Sequence, residues 1–448
     1  MKTIVIGAGE VGFHIAELLS REGHDIVIIE RDPATRERVQ ERLDVMTVEG
    51  NGSSPKALEE AGIRDADLII AVADIDEVNI SACILAKEYA VPRRIARVRD
   101  PDFSENPFLD HGRRLGIDLL INPNIVVADE IVTLIKTPAA AEVGKFAEGR
   151  VLMLGLQIGE GAPIADRELR ALRAFHTTTP FLIVALYRHG KLLIPDGRTI
   201  VEAGDHLYFI SKRESINAIL TLLGKKESIV ERVFLIGGGR AGLRVAQQLE
   251  REHFHTKLIE RNPDRCDELS RLLSRTLVLK GDGTDIRSLI EEGIADADAV
   301  AAVTDDEATN ILAALLAKEQ GAKKAIALIK RQHLLHLLPH LGIDAAVSPR
   351  ICTANVILKY VRKGRVVSIF EMPESEDAET MEMVVPPESR VAGKPIRDAG
   401  LPSGAIIGAV VHRDEIIIPK GDSVLNAGDL VVVFALPAAI AELERLFA

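Results

Sequence analysis

The chain has 448 residues, 47% of them hydrophobic and 27% charged, and it contains no tryptophan. This length predicts two to four domains of ordinary size, and a composition rich in valine, isoleucine, leucine and alanine favours buried parallel sheets. The formal net charge of −12 argues against nucleic acid and anionic lipid as partners, because both attract basic surfaces.

Three features of the chain predict a cytoplasmic protein. The first strand begins within a few residues of Met1, so we expect no signal peptide. No apolar stretch approaches the ~18 residues that a membrane helix needs, so a role at a membrane would require a partner protein. The three cysteines, Cys83, Cys266 and Cys352, lie far apart without metal-ligand spacing, which favours buried thiols in a reducing compartment.

Short apolar runs alternate with helical patterns along the first 136 residues. The runs predict six strands, at residues 3–6, 25–29, 45–48, 68–72, 95–98 and 119–121. Between the first two strands, Ile15, Leu18 and Leu19 fall on one face of a helix that would end near Gly23. This alternation predicts an α/β domain with a doubly wound parallel sheet of the Rossmann type.

The chain then changes character and afterwards repeats itself. Residues 140–225 carry proline and glycine punctuation and alternating strands, which predict a small α+β domain. The sequence IVIGAGEVG at residues 4–12 returns as FLIGGGRAG at residues 234–242. In the small domain, LIPDG returns as IIPKG and AGD returns unchanged, both 224 residues later. We therefore predict four tandem domains, at residues 1–136, 140–225, 230–362 and 365–448. Two nucleotide units in one chain favour a sensor, because an enzyme usually needs one cofactor site.

The first unit contains a glycine loop between a strand and a helix. Gly7 permits a tight turn, Gly9 lets the backbone approach a pyrophosphate, and Gly12 lets the helix pack close to the sheet. Glu30 is placed to accept hydrogen bonds from a ribose diol and would repel a 2′-phosphate, which favours NAD(H) or an adenine nucleotide over NADP(H). Ordinary strand–helix turns also use glycines, and a strand-end glutamate can simply face solvent. We expect valine at Gly7 or Gly9 to abolish nucleotide binding while leaving the fold largely intact.

The second unit keeps this pattern but changes the charge of its loop. The recurring residues are Gly237, Gly239, Gly242 and Glu260. Where the first loop has Glu10, the second has Arg240, whose forked donors suit terminal phosphate oxygens. This difference favours NAD(H) at the first site and ATP or ADP at the second. Alternatively, both side chains point to solvent and the difference carries no preference.

Polar residues also follow or end the central strands of each unit. Asp74 and Asp305 end the fourth strands, at the edge of the sheet where ligands bind in this class of fold. Capping of the next helix would also explain an aspartate there. Arg97 lies in an apolar strand, where a charge needs a partner, and Leu328 occupies the matching place in the second unit.

The sequence shows no catalytic constellation of the Ser/His/Asp or paired-carboxylate type, so we expect no enzyme activity. A metal site is conceivable at three histidines that would share a helical face, His333, His336 and His340. They have no carboxylate or cysteine in their pattern, which disfavours a metal ion. The acidic stretch at residues 371–382 predicts a solvated loop.

In this combination the chain resembles the TrkA family, the regulatory subunits of Trk potassium uptake systems in bacteria and archaea. Each half is similar to an RCK (KTN) module, the regulator of potassium conductance, and the resemblance covers essentially the whole chain. The most specific segments are residues 50–53, 71–79, 95–97, 201–205, 257–262 and 406–411.

This resemblance implies NAD(H), and ATP or ADP, as ligands. It also implies a homotetramer whose modules form a ring, docked on the cytoplasmic face of an integral membrane subunit that translocates potassium. By matching positions, it implies these contacts at the first site: Gly7, Ala8, Gly9, Glu10, Val11, Gly12, Glu30, Asn51, Ala73, Asp74 and Arg97. Those at the second site are Gly237, Gly238, Gly239, Arg240, Ala241, Gly242, Glu260, Asp282, Thr304 and Asp305. Leu328 departs from the family's arginine, which indicates a weaker second site or one for a different nucleotide.

Two other functions remain compatible with the sequence. One is an NAD-dependent oxidoreductase with a duplicated cofactor domain, and the other is the gating ring of another cation channel. An oxidoreductase should bring an acid or base over the nicotinamide, whereas the repeated small domains show only structural glycine, proline and aspartate.

Overall fold

The chain forms two compact units. The computed structural model describes residues 1–104, 112–174, 179–225, 229–361, 366–371 and 378–447. The first unit comprises residues 1–127 with 349–361, and the second comprises residues 128–348 with 362–448. Within the described residues, none of the helices has the length and apolar character needed to cross a membrane.

The first unit is built on a six-stranded parallel sheet. Its strands are β1 (Lys2–Ile6), β2 (Asp25–Glu30), β3 (Met46–Glu49), β4 (Leu68–Ala71), β5 (Arg93–Arg97) and β6 (Leu119–Ile121). The helices between these strands are α1 (Glu10–Arg21), α2 (Pro33–Arg42), α3 (Pro55–Glu60), α4 (Asp76–Glu88) and α5 (Pro101–Ser104), and α6 (Pro123–Lys136) follows the last strand. The strand order β3-β2-β1-β4-β5-β6 reverses direction between β1 and β4, which confirms the predicted doubly wound sheet.

Local sequence explains where these elements begin and why the sheet is buried. The side chains of Ile4, Val5 and Ile6 on β1 are at most 1% exposed, as expected for a central parallel strand covered on both faces. Helix α2 starts with proline at its first position, and Asp32 caps it by accepting a hydrogen bond from the Thr35 N–H at 2.8 Å.

The first small domain lies in the second unit. Its elements are β7 (Glu142–Phe146), β8 (Val151–Gln157), β9 (Arg167–Glu168), β10 (Phe181–Arg188), β11 (Lys191–Leu193), β12 (Ile200–Val201), β13 (His206–Lys212) and α7 (Ile216–Leu222). Five strands form an antiparallel sheet in the order β11-β10-β13-β8-β7, and β12 pairs with β9.

The second Rossmann-type domain repeats the first. Its strands are β14 (Arg232–Ile236), β15 (His255–Glu260), β16 (Leu277–Lys280), β17 (Ala299–Ala302), β18 (Ala325–Leu328) and β19 (Ala345–Val347). Its helices are α8 (Arg240–Arg251), α9 (Pro263–Leu272), α10 (Ile286–Glu291), α11 (Glu307–Glu319), α12 (Leu338–Leu341) and α13 (Pro349–Val361). The strand order β16-β15-β14-β17-β18-β19 matches that of the first sheet element by element, as the repeat predicts.

The second small domain repeats the first and completes the second unit. Its elements are β20 (Val366–Glu371), β21 (Glu379–Val384), β22 (Lys394–Pro395), β23 (Ala405–His412), β24 (Glu415–Ile417), β25 (Val424–Leu425), β26 (Leu430–Ala435) and α14 (Pro437–Leu446). Both small domains contribute to one apolar cluster, which includes Phe146, Tyr208 and Phe434.

The prediction of a solvated loop at residues 371–382 is wrong at its carboxyl end. Glu379 and Glu382 lie in β21 and are at most 3% exposed. The Oε1 atom of Glu382 accepts a hydrogen bond from the Ala147 N–H at 2.7 Å, so a partner 235 residues away explains its burial. Residues 372–377 lie outside the described part of the chain.

Two helices pack away from the sheet that precedes them in the chain. Helix α13 follows the second sheet but belongs to the first unit, where it packs against α1. From residue 128 onwards, α6 belongs to the second unit. There the Gln248 Nε2 atom of α8 donates to Asp129 Oδ1 at 2.6 Å, and Lys136 forms an ion pair with Glu252 at 2.6 Å. The chain therefore passes from one unit to the other within α6 and at both ends of α13.

Candidate nucleotide-binding sites

The first glycine loop is held tightly between β1 and the end of β4. Gly7 has a φ angle of +88°, and a Cβ atom there would lie 2.7 Å from the Cα atom of Ala73. A Cβ atom on Gly12 would lie 1.9 Å from the Gly7 carbonyl oxygen, so glycine is required for the close approach of α1. Valine at Gly7 would therefore strain the backbone and disturb the fold, contrary to the expectation from sequence.

The middle glycine of each loop has space around it. A Cβ atom on Gly9 or on Gly239 would meet nothing within 4 Å, and these residues are the N-caps of α1 and α8. The first N–H groups of a helix have no intrahelical acceptor and bind anions well. The open space and the helix terminus together fit the pyrophosphate of a dinucleotide.

The glutamates that end the second strands support the glycine loops directly. The Glu30 Oε2 atom accepts a hydrogen bond from the Ala8 N–H at 2.6 Å, and its Oε1 atom accepts one from the Asp32 N–H at 2.9 Å. Glu260 accepts from the Gly238 N–H at 2.7 Å in the second unit. Each carboxylate oxygen has more than one lone pair, so these bonds leave capacity for a ribose hydroxyl.

The loops that follow the third strands lie beside the glycine loops. A Cβ atom on Gly52 would lie 2.1 Å from a side-chain carbon of β1, so this loop crosses the end of β1. Asn51 Oδ1 accepts from the Ser53 N–H at 3.0 Å, and Asp282 Oδ1 accepts from the Thr284 N–H at 2.9 Å. The hydrogen bonds from Thr284 lower the pKa of the Asp282 carboxyl. Asn51 and Asp282 therefore fix the conformation of these two loops from within.

Arg97 reaches into the first crevice from the end of β5. Its Nη2 atom donates to the Ala73 carbonyl at 3.0 Å and to Asp74 Oδ1 at 2.9 Å, and its side chain is 12% exposed. Burial lowers the pKa of the Arg97 guanidinium, and the hydrogen bond to Asp74 opposes this shift. Asp74 is not a helix cap, because the N-cap of α4 is Ile75.

The second crevice has a cation that sequence reasoning missed. Leu328 is buried, but Lys330 two residues later donates from Nζ to the Asp305 carbonyl at 2.7 Å. The adjacent Asp306, not Asp305, caps α11. Lys330 corresponds to Arg99 of the first unit at the repeat offset, and Arg99 contacts the matching carbonyl there. Comparing the repeats two residues further would have found this cation.

Two buried asparagines hold the strand ends that line each crevice. Asn79 Oδ1 accepts from the Ala73 N–H at 2.9 Å, and its Nδ2 atom donates to the carbonyls of Ala73 and Arg97, each at 2.8 Å. Asn310 makes the three equivalent bonds at the ends of β17 and β18, at 2.8, 3.0 and 2.9 Å. The recurrence of asparagine at the same place in both units was the signal for this role.

The remaining predicted residues lie on the loops and the first helical turns. Glu10 and Arg240 are exposed first residues of α1 and α8, so both face the space outside the loop. Ala8 and Val11 are buried behind the loop, and Ala241 is half-buried. For Ala8, Val11 and Ala241, the backbone rather than the side chain is therefore what the site can use.

The conceivable metal site at three histidines is not tested, because two of its side chains are not described. Among the side chains that the structure describes, no group of three or more His, Cys, Asp and Glu is placed to hold a metal ion. The side chains of His333 and His336 lie outside the described residues.

Comparison with known proteins decides the family. A model of the TrkA-N domain matches residues 3–123 and 233–349, and a model of the TrkA-C domain matches residues 153–224 and 380–448. The chain belongs to the TrkA family. Within this family, a Trk system potassium uptake protein TrkA of Halomonas elongata is 39% identical and aligns over 100% of this chain and 98% of its own. A TrkA homolog 1 of Methanosarcina mazei is 38% identical over 100% of both chains.

A solved structure shares the fold of this TrkA family chain. The structure of the GsuK channel bound to NAD has a TM-score of 0.60 and 20% sequence identity, and it covers 100% of this chain and 78% of that chain. At this level of identity, the likeness concerns the fold alone.

Proposed function

We propose that this chain is the nucleotide-sensing regulatory subunit of a Trk potassium uptake system, peripheral on the cytoplasmic face of the membrane. The observation that carries the proposal is the pair of complete Rossmann crevices in one chain. It is supported by full-length identity of 38–39% to Trk system potassium uptake proteins. The proposed domains are residues 1–136, 140–225, 230–362 and 365–448, and the proposed assembly is a homotetramer.

The first crevice is proposed to bind NAD(H). The open space at Gly9 suits the pyrophosphate, and the Glu30 carboxylate suits the ribose diol. The Arg97 guanidinium suits a phosphate oxygen. The proposal is supported by the GsuK channel, which shares this fold and has a solved structure bound to NAD. The other contacts are proposed as the family pattern implies them.

The second crevice is proposed to accept ATP or ADP. It replaces Glu10 with Arg240 at the start of its helix and keeps a cation at Lys330. The change to Arg240 would favour a more highly charged phosphate chain. A nucleotide that binds one conformation of this chain more tightly shifts the population towards that conformation. This shift changes potassium uptake by the membrane subunit, and the nucleotide itself does not react.

Calorimetric titration of the full chain with NADH and with ATP measures the affinity for each ligand and tests the proposal. We expect NADH to bind without being consumed, and Arg240→Glu to weaken ATP while leaving the first-site affinity for NADH unchanged. A charge-assisted contact of ~1.5–3 kcal/mol corresponds to a loss of about tenfold to hundredfold. Steady oxidation of NADH with an ordinary 2-oxo acid, abolished by Glu30→Gln, would instead support the oxidoreductase. Equal ATP affinities in wild type and Arg240→Glu would place that side chain in solvent.

A further inference from the structure

Two cationic residues lie at corresponding positions, at the starts of the fifth strands of the two sheets. Arg93 is the first residue of β5, and Lys324 immediately precedes β18 at the matching position of the repeat. Neither cation points into the crevice at the other end of its strand. Arg93 donates from Nη1 to the Val361 carbonyl at 2.9 Å. Lys324 donates from Nζ to three carbonyls, those of Leu134, Thr137 and Ala140, at 2.7, 2.9 and 2.7 Å.

Both cations therefore cap the carboxyl end of a helix. Val361 is the last residue of α13, and Leu134 lies in the last turn of α6. The last carbonyls of a helix have no intrahelical donor and carry the negative end of its dipole, so a cation there is favourable. The Lys324 side chain is 1% exposed and all three N–H donors of its ammonium group have a carbonyl acceptor.

The capped helices are the two that leave their preceding sheet. Helix α13 packs in the first unit and α6 enters the second, as described above. Each leads in the chain to a small domain, since β7 follows α6 and β20 follows α13. The cation therefore fixes the point from which the chain continues into the small domain.

The other end of each cation-bearing strand forms part of the nucleotide crevice. Asn79 holds the carbonyl of Arg97 at the end of β5, and Asn310 holds that of Leu328 at the end of β18. A strand of four or five residues rises about 3.3 Å per residue, so the crevice and the capped helix are joined by roughly 13 Å of buried, hydrogen-bonded backbone. The side chains of β18 are at most 7% exposed, which leaves little room for the strand to deform locally.

We propose that Arg93 and Lys324 are positioning residues that connect each nucleotide crevice to the helix leading into a small domain. In this arrangement, a nucleotide that shifts the crevice end of β18 changes the hydrogen bonds from Lys324 to the end of α6. A nucleotide that shifts β5 changes the hydrogen bond from Arg93 to the end of α13. The inference rests on the proposed nucleotide function, because it assigns the route by which occupancy reaches the small domains.

Hydrogen exchange of the full chain, with and without saturating ADP or NADH, tests the route. In the wild type, we expect nucleotide to change the exchange rate of backbone amides at residues 134–140 by at least threefold. Lys324→Met should bind the nucleotide within twofold of wild type, exchange faster at these residues, and lose the nucleotide-dependent change. Lys323→Met is the matched control, since the neighbouring lysine pairs with Asp298 and its side chain is 59% exposed. This control should behave as wild type.

The outcomes separate the route from the function. A nucleotide-dependent change that persists in Lys324→Met, or a wild type that binds nucleotide without any change at residues 134–140, would overturn the route while leaving the nucleotide function standing. If the wild type binds neither ADP nor NADH, both the proposed route and the proposed nucleotide function are wrong. If Lys324→Met does not fold, Arg93→Met repeats the test at residues 357–361, where the hydrogen bond to the Val361 carbonyl is lost together with the one from Arg93 to the Met1 sulfur. Its retention of a nucleotide-dependent change would equally overturn the proposal.

Discussion

Replacing Gly9 with valine separates nucleotide binding from folding in the first unit. Gly9 has φ −62° and ψ −173°, an extended conformation that any residue adopts, and its Cβ position is open to 4 Å. Valine is a poorer N-cap than glycine, which costs up to about 1 kcal/mol. The loss of glycine's freedom in the unfolded chain offsets about 0.4–1 kcal/mol of this. We therefore expect the unfolding midpoint of the variant to move by no more than about 4 °C.

Binding should respond far more strongly than stability. The valine side chain would fill the space where the pyrophosphate approaches the start of α1. Losing even one charge-assisted hydrogen bond there costs about 1.5–3 kcal/mol, which is roughly a tenfold to hundredfold loss of affinity. Calorimetry with NADH should show the first-site binding lost in Gly9→Val and retained in Gly239→Val.

Two results bear directly on this reasoning. Gly12→Val, whose Cβ atom would lie 1.9 Å from the Gly7 carbonyl oxygen, should unfold or strongly destabilise the first unit and so serves as the steric contrast. A folded Gly9→Val protein with wild-type NADH affinity would refute the assignment of the pyrophosphate to this loop.

Three further predictions follow from buried groups. Asn79→Ala should lower the free energy of unfolding of the first unit by about 2–4 kcal/mol, because it leaves buried backbone groups without partners; denaturant unfolding with an unchanged midpoint would contradict this. Burial lowers the pKa of Lys324 to about 7, although its three carbonyl acceptors favour the charged form. Between that pH and about 10, the folded state therefore binds fewer protons than the unfolded chain. Stability should therefore rise between about pH 7 and 10 more steeply in wild type than in Lys324→Met, and parallel curves would argue against it. Burial raises the pKa of the Cys83 thiol to about 12, so a thiol reagent at pH 8 should modify it only after unfolding, as mass spectrometry of native and denatured protein can show.

The repeated elements explain how much of the fold was predictable. Strand positions in the first unit followed from apolar runs, because buried parallel strands are continuous hydrophobic segments. The sequence repeat then indicated the same strands in the second unit. The destination of α6 and α13 did not follow, because helical periodicity shows which face is apolar and not which sheet that face covers. Glu382 was misjudged because its partner Ala147 lies 235 residues away in the sequence, in the turn between β7 and β8.

The candidate site divides in a similar way. Glycines and strand-end carboxylates are recognisable because their spacing is local and their chemistry is specific. Asn79 and Lys330 were missed as site residues because each acts through backbone carbonyls of a neighbouring strand or loop. Gly7 and Gly9 looked equivalent in sequence, and only their surroundings show that one is packed and the other open.

Potassium flux into proteoliposomes that contain the Trk-type membrane subunit from the same organism tests the central claim most directly. We expect the purified chain to make this flux depend on added nucleotide, and Gly9→Val to remove the response to NADH while keeping the response to ATP. A flux that is the same with and without the chain, at every nucleotide concentration, would contradict the account.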